Sequence, residues 1–360
     1  IRSGCLSSFI GAWGDGFLGG PQVKAFEAEW AEFFGVKHAI SVNSLTSGLI
    51  CAVGALDIEP GDEVIVSPWT MSASATCILV WNAIPVFADI NPDTFNLDLQ
   101  NVVAKITPRT RAIIVPSIFG YGADLKALRG LADAQGIHII EDAAQAPAVK
   151  YAGKWVGTWG DIGGFSLNYH KHIHTGEGGI CVTNSDYLAD RMRLIRNHAE
   201  AVVDKKGQEA IHNLIGFNFR LGEIEAALGS CQLKKLQQKV DLRFELGVML
   251  QKRLQGLAGL HTTPIEGSNT HAFYVFGMRL NTQQLGVSRE KIFAALVAEG
   301  VPALSKQYVN VHRYAMYRKK IAYGKAHFPW KNGLYESTVN YTKGICPVAE
   351  SLQDVDYLGL

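Results

Sequence analysis

Gly164-Phe-Ser-Leu-Asn-Tyr-His-Lys-His-Ile-His-Thr-Gly-Glu-Gly-Gly179 sets a single lysine, Lys171, five residues after Ser166 and five before Gly176. The β-type run Ile180-Cys-Val-Thr183 follows at once. A lysine held between two tight backbone segments is what Schiff-base chemistry requires, because the amine must be fixed in place and its charge set by its surroundings. The same stretch also reads as a basic loop between two strands. The choice rests on what the rest of the chain places around it.

Around this loop the sequence has a repeated rhythm. Short apolar runs at Ala39–Val42, Glu63–Val66, Pro85–Asp89, Ala112–Pro116, His138–Asp142, Phe165–Leu167 and Gly179–Thr183 read as strands, with helical patterns between most of them. Such alternation predicts an α/β fold, a largely parallel sheet covered by helices on both faces. Ligands of such sheets gather at the carboxyl ends of the strands. Beyond Leu221 the character changes. Glu223–Leu260 reads as one long amphipathic helix, followed by β-like runs over His271–Leu280 and a helix over Arg289–Glu299. These describe a smaller α+β domain. The expected division is a large domain over residues 1–240, with an N-terminal arm at 1–20, and a small C-terminal domain over 241–360. Tyr308–Glu336, dense in aromatic and basic residues, reads either as a substrate-covering loop or as a packed surface loop.

Gly14-Asp-Gly-Phe-Leu-Gly19 matches a dinucleotide fingerprint, but no strand precedes it and Gly20-Pro21 intervenes before the next helix. Pro21 instead suits the start of a helix through Phe26, Trp30, Phe33 and Phe34. The six cysteines are scattered, show no paired spacing and mostly sit in apolar runs, as reduced core residues do. A net charge of +1 points to no nucleic-acid or membrane-surface partner. No apolar run is long enough to span a bilayer and no signal peptide is visible, so a cytoplasmic protein is expected.

Four motifs fall at strand ends. Asn43-Ser-Leu-Thr-Ser-Gly48 lies between a strand and a helix, where backbone N–H groups and the hydroxyls of Thr46 and Ser47 suit a phosphate, or simply cap the helix. Glu141-Asp-Ala-Ala-Gln-Ala146 ends an apolar strand with two carboxylates on opposite faces. One must be buried and needs a cationic or donor partner, for which a pyridinium nitrogen at Asp142 would serve. A cap on the next helix is the alternative. Ser166 with Lys171 is the third motif, and Gly216-Phe-Asn-Phe-Arg220 the fourth.

In order and spacing these motifs resemble the DegT/StrS family of pyridoxal-phosphate-dependent sugar aminotransferases, from about Gly20 to Glu350. Pro60-Gly-Asp-Glu-Val, Pro85-Val-Phe-Ala-Asp and Gln232-Leu-Lys-Lys-Leu are linking matches. The resemblance implies the aspartate-aminotransferase fold, with a mostly parallel seven-stranded sheet. It implies that Lys171 carries pyridoxal 5'-phosphate (PLP) covalently and that Asp142 pairs with the pyridine nitrogen. Gln145 would lie close to the ring, and Thr46, Ser47 and Ser166 would bind the phosphate. Asn218 would reach the phosphate of a neighbouring subunit, making a homodimer with shared active sites. The reaction implied is transfer of an amino group from glutamate or glutamine to a sugar carbonyl, with Lys171 as proton carrier.

Where the family usually places an aromatic residue on the ring, Ser67-Pro-Trp-Thr-Met71 offers Met71, with Trp69 two residues earlier. A thioether can pack on a ring face. His170, His172 and His174 alternate around Lys171; as a metal site they fit poorly inside this motif, and they are expected to line the substrate site or pack nearby. Arg220, Tyr308 and His312 are further substrate candidates. The expected acceptor is a nucleotide-linked sugar in amino-sugar synthesis for a surface polysaccharide or natural product. A nucleotide-free acceptor, such as an oxidised octulosonate or a cyclitol ketone, is the alternative. A sugar dehydratase, which would carry histidine in place of Lys171, and a non-catalytic cofactor-binding protein are more distant readings.

Overall fold

The structure, a computed structural model, describes every residue except Ile1, Ser3, Leu334 and Tyr335. Its large sheet is built from β1 (His38–Val42), β2 (Glu63–Val66), β3 (Ile84–Phe87), β4 (Thr110–Pro116), β5 (His138–Asp142), β8 (Ile162–Ser166) and β9 (Gly179–Thr183), with the hairpin β6 (Lys150–Tyr151) and β7 (Lys154–Trp155) inserted before β8. The strand order is β1-β9-β8-β5-β4-β2-β3. Strands β3, β2, β4, β5 and β8 pair in parallel, and β9 runs antiparallel to both β8 and β1. The mostly parallel seven-stranded sheet expected from the sequence is therefore present.

The strands are apolar on both faces because the sheet has a core on each side. Val64, Val66, Ile114 and Ile140 face one cluster, while Ile65, Ile113, Val115 and Ile139 face the other. The exception in direction, β9, follows from the lysine loop. Residues 167–178 hold no crossover helix, so the chain turns back as a hairpin. That reversal leaves β1 parallel to β8, so the carboxyl ends of β1, β2, β4, β5 and β8 share one edge.

Helix α1 (Pro21–Phe34) begins at Pro21 and ends on Gly35 in the left-handed region, and it buries Phe26, Trp30 and Phe34, with Trp30 edge-on to Phe165 at 5.4 Å. The glycine-rich stretch before it forms a short 3₁₀ turn, Asp15–Leu18, and not a strand-to-helix phosphate loop. The expected long helix is in fact two, Glu223–Leu233 and Leu236–Leu254. They serve different partners: Gly229 lies under Phe26 of α1, and Gly247 lies against Phe273. Of the β-like run His271–Leu280, only Gly277–Leu280 is a strand. It is the centre of a second sheet of β10 (Leu260–Thr262), β11 (Gly277–Leu280) and β12 (Tyr357–Gly359), with its own core of Phe273, Phe276, Met278, Leu280 and Leu358. The preceding residues instead follow the turn after β4: Ala272 N–H donates to Gly120 O at 2.8 Å and Tyr274 N–H to Phe119 O at 2.9 Å.

A few anchors of the aromatic stretch beginning at Tyr308, and Tyr341 beyond it, are interior, while Tyr314 and Tyr323 are exposed. Val311, Tyr317, Trp330 and Tyr341 are buried in the same core as Trp81 and Phe87, and Leu334 and Tyr335 lie outside the described residues. Cys51, Cys77, Cys181 and Cys346 are buried free thiols, as expected of most of the six, while Cys5 and Cys231 are exposed. Among the described residues no helix is long and apolar enough to cross a membrane.

Adjacent carboxylates at the end of β5 divide the sheet's two faces. Glu141 is fully buried away from the cleft. Its Oε1 accepts from Trp159 N–H at 2.5 Å and Gly160 N–H at 2.7 Å, and its Oε2 from Gly157 N–H at 2.7 Å. It fixes the loop that leads into β8. Glu141→Ala strands these buried donors at about 1–3 kcal/mol each, so the variant is expected to lose about 3 kcal/mol or more of unfolding free energy. Urea titration with an unchanged slope is the check.

Candidate active site

At the shared carboxyl edge the strand ends enclose a cleft of about 390 Å³. Register brings its key residues together. Pro116 pairs with Asp142, Asp142 with Gly164, Ser166 with Gly179, and Gly179 with Val42. From one end of the edge to the other the cleft wall therefore carries Ser44 and Thr46 after β1, Ser166 at the end of β8, Asp142 at the end of β5 and Ser117 after β4.

The Ser44–Thr46 side is a helix start. Ser44 caps helix α2 (Leu45–Ala55), its Oγ accepting from Ser47 N–H at 3.2 Å. Ser44 and Thr46 lie on the wall. Ser47 does not: it is buried, and its hydroxyl pairs with Ser44 Oγ at 3.0 Å. Of the two serines expected near this helix start, it is thus Ser44, marked by its capping position, that faces the cleft. Gly179 allows this loop to lie on β9, since a Cβ there would come within 2.5 Å of Leu45 N.

Lys171 lines the same cleft. Among the described residues no hydrogen bond or ion pair reaches its amine, and Nζ lies 4.2 Å from the ring centroid of Tyr274. Burial pulls the Lys171 amine down to about 8, against the charge of Asp142, which draws it up. The lowering brings the neutral amine within reach near neutral pH, as a nucleophile or proton carrier requires. Asp142 is 7 % exposed and accepts from Ser74 Oγ at 2.7 Å and from Ala144 N–H at 3.2 Å. Burial pushes its carboxyl above the ordinary range; the Ser74 hydroxyl, the Ala144 N–H and Lys171 pull the other way. Gln145 is clamped beside it, Oε1 accepting from Phe119 N–H at 2.6 Å and Nε2 donating to Tyr308 Oη at 3.1 Å. Tyr308 and Gln145 both line the cleft.

Met71 is 63 % exposed on the wall, whereas Trp69 is fully buried among Phe95, Tyr308 and Tyr357 and has no face free for a ligand. Of the histidines only His170 lines the cleft. His172 is turned into the interior, where a ring nitrogen meets Ala272 O at 3.1 Å and burial lowers its pKa to about 4. His174 is half-buried and off the wall. His312 is fully buried and paired with Glu350 at 2.9 Å, so it is a packing residue of the C-terminal segment and not a substrate contact. Asn218 is exposed and away from this chain's own cleft, and its Oδ1 accepts from Arg220 Nε at 2.7 Å. Arg220 is likewise off the wall.

Sequence reading missed Ser117 and Tyr274. Ser117 follows a strand with no motif to mark it, and Tyr274 comes from an irregular segment just before β11, about a hundred residues after Lys171. Among the described residues, neither Ser117 Oγ nor Asn168 Oδ1, both buried on the wall, has a hydrogen-bond partner. Buried polar atoms of this kind call for a ligand that completes them. A buried carboxylate, a low-pKa lysine and a helix start with hydroxyls on one cleft fit a phosphate-bearing cationic ring.

Residues 12–352 match the model of the DegT/DnrJ/EryC1/StrS aminotransferase family. The chain belongs to this family. Its members are PLP-dependent aminotransferases of fold type I acting in sugar metabolism. Among DegT/DnrJ/EryC1/StrS relatives, the spore coat polysaccharide biosynthesis protein SpsC of Bacillus subtilis (strain 168) is 34% identical over 343 residues, 94% of this chain and 87% of that protein. The GDP-perosamine synthase of Vibrio cholerae is 31% identical over 329 residues, 91% of this chain and 87% of that protein. The crystal structure of S. venezuelae DesV superposes with a TM-score of 0.79 at 32% identity, covering 95% of this chain and 84% of that one.

Proposed function

We propose that this aminotransferase holds PLP in the cleft and moves an amino group from glutamate or glutamine to the carbonyl carbon of a nucleotide-linked sugar. The observation that carries the reading is the meeting of Lys171 and Asp142 in one cleft, where Ser117 Oγ and Asn168 Oδ1 also lie buried without a hydrogen-bond partner among the described residues. Thr46, Ser44 and Ser166, with the N–H groups at the start of α2, would hold the phosphate. Asp142 would keep the ring nitrogen protonated, and Gln145, fixed by Phe119 N–H and Tyr308, would flank the ring. Met71 would cover one face. When bound, PLP supplies an electron sink for the carbon that gives up its proton. Lys171 Nζ takes that proton and returns it, which its lowered pKa allows.

A nucleotide-linked acceptor is favoured by the V. cholerae relative, a GDP-perosamine synthase. A homodimer with shared sites is favoured by the exposure of Asn218 and, a few residues before it in the chain, of Ile211 and Ile215, which are 57 % and 65 % exposed. The test supplies the pyridoxamine-phosphate form with a panel of ketosugars and follows amino-sugar formation by mass spectrometry. Turnover of nucleotide-linked ketosugars is the expected result. Turnover confined to octulosonates or cyclitol ketones overturns the acceptor assignment, and none with any carbonyl sugar overturns the reading.

A further inference from the structure

The Tyr274 ring belongs to no motif read from the sequence, yet it is the group the Lys171 amine rests on. It lies on the cleft wall with Nζ 4.2 Å from its centroid. Two further rings close around it: His170 at 6.3 Å and His172 at 5.9 Å, the residues on either side of Lys171. The ring is held by its own backbone, Tyr274 N–H donating to Phe119 O at 2.9 Å, one residue before Gly120 in the turn after β4. His172 is anchored to the same segment through Ala272 O at 3.1 Å. The small domain's entry segment thus grips the lysine loop at both histidines and offers an aromatic face to the amine between them.

We propose that Tyr274 is a positioning residue: its ring face is the seat of the Lys171 amine whenever that amine is not bonded to cofactor, which is the interval in which it carries protons. The proposal rests on the functional reading above for its purpose, though the contact itself does not. An ammonium is attracted to a ring face and a neutral amine much less so, by an amount that grows as water is excluded. The ring therefore favours the charged amine against the burial that disfavours it. It keeps the lysine basic enough to accept a proton and fixed enough to deliver it. This also gives the flanking histidines a role, as braces of the ring and not as ligands of a metal or a sugar.

The charge that acts on Lys171 is Asp142 from β5; of its neighbours on the loop, His170 also feels Glu177, and His172 also feels Arg243 and Lys239 of the helix Leu236–Leu254, while Tyr308 from the C-terminal segment lines the same cleft. Burial pushes both the Tyr274 and Tyr308 phenols up, so neither is charged near pH 8. Removing the Tyr274 hydroxyl or ring consequently changes no formal charge around the amine.

The test is competitive acylation of Lys171 with trace acetic anhydride across pH 6–11, read by mass spectrometry on the full-length chain freed of cofactor and on the chain loaded with pyridoxamine phosphate. Tyr274→Phe, which keeps the ring, should titrate with the wild type. Tyr274→Leu should move the Lys171 midpoint down by about one pH unit, the size of a partly buried cation–π contact. Tyr274→Met answers the same question should the leucine variant not fold. A midpoint unchanged or raised in the ring-less variant overturns the proposal, as does a shift of equal size in Tyr274→Phe. Failure of the wild type to bind pyridoxamine phosphate in equilibrium dialysis counts against the functional reading alone, because the cofactor-free comparison still decides the role of Tyr274.

Discussion

Lys171→Ala protein is expected to lose transamination by about 10³-fold or more, the scale of removing a positioned acid–base group, with the loss in kcat and not in binding of the sugar. Borohydride treatment of the PLP-loaded wild type should fix cofactor mass on the peptide carrying residue 171, and the same treatment of the variant should fix none. The fold should survive, because the Lys171 amine takes part in no hydrogen bond or ion pair among the described residues and its removal strands no buried partner. Added methylamine, a small base that can enter the space left by the side chain, should restore part of the rate. Turnover of Lys171→Ala at the wild-type rate would remove the lysine from the chemistry.

Asp142→Asn is the second large effect. Asparagine keeps the shape: its Oδ1 can accept from Ala144 N–H, and the Ser74 hydroxyl, which now donates to the other carboxylate oxygen, can turn to accept from Nδ2, so stability should change little. What is lost is the charge opposite the cationic part of the ligand. The expected cost is about 10²–10³-fold in kcat, the range for a preorganised electrostatic contact to a developing charge, with weaker retention of PLP measured by dialysis. Asp142→Asn should also lower the pKa of Lys171, because Asp142 is the charge that opposes its desolvation. Acylation of Lys171 against pH therefore separates this variant from the wild type without any turnover. A variant with wild-type kcat and an unmoved lysine would show that the carboxylate faces neither group.

The parts of this site that could be read from the chain share one property: their meaning is local. A parallel strand announces itself by a short run apolar on both faces, so all seven strands of the large sheet fall within the runs read from the sequence or within a few residues of them. Residues at strand ends inherit their place from the strand, which is why Asp142, Ser166 and Thr46 could be set on one edge before any contact was known. The helix break at Lys234–Lys235 was not readable, because each half is amphipathic by itself and only the different partners, Phe26 for one and Phe273 for the other, separate them.

The histidines show the opposite limit. His170, His172, His174 and His312 are chemically alike, and sequence places them all as substrate candidates. In the fold His170 lines the cleft, His172 is locked to Ala272 O, and His312 is buried against Glu350. Which way a loop side chain turns depends on what packs behind it, and for His172 that is a segment a hundred residues away.

The sequence alone determined the doubly covered parallel sheet, the family, and the lysine and carboxylate that bracket the cleft, because strand periodicity and short motifs carry that information within a few residues. Tertiary structure alone decided that Ser44 and not Ser47 faces the cleft, that Ser117 adds an unpartnered hydroxyl to its wall, and that Lys171 rests on Tyr274. Those choices come from contacts between distant segments, where burial sorts identical residues into ligand-facing and buried ones and no local pattern records the result.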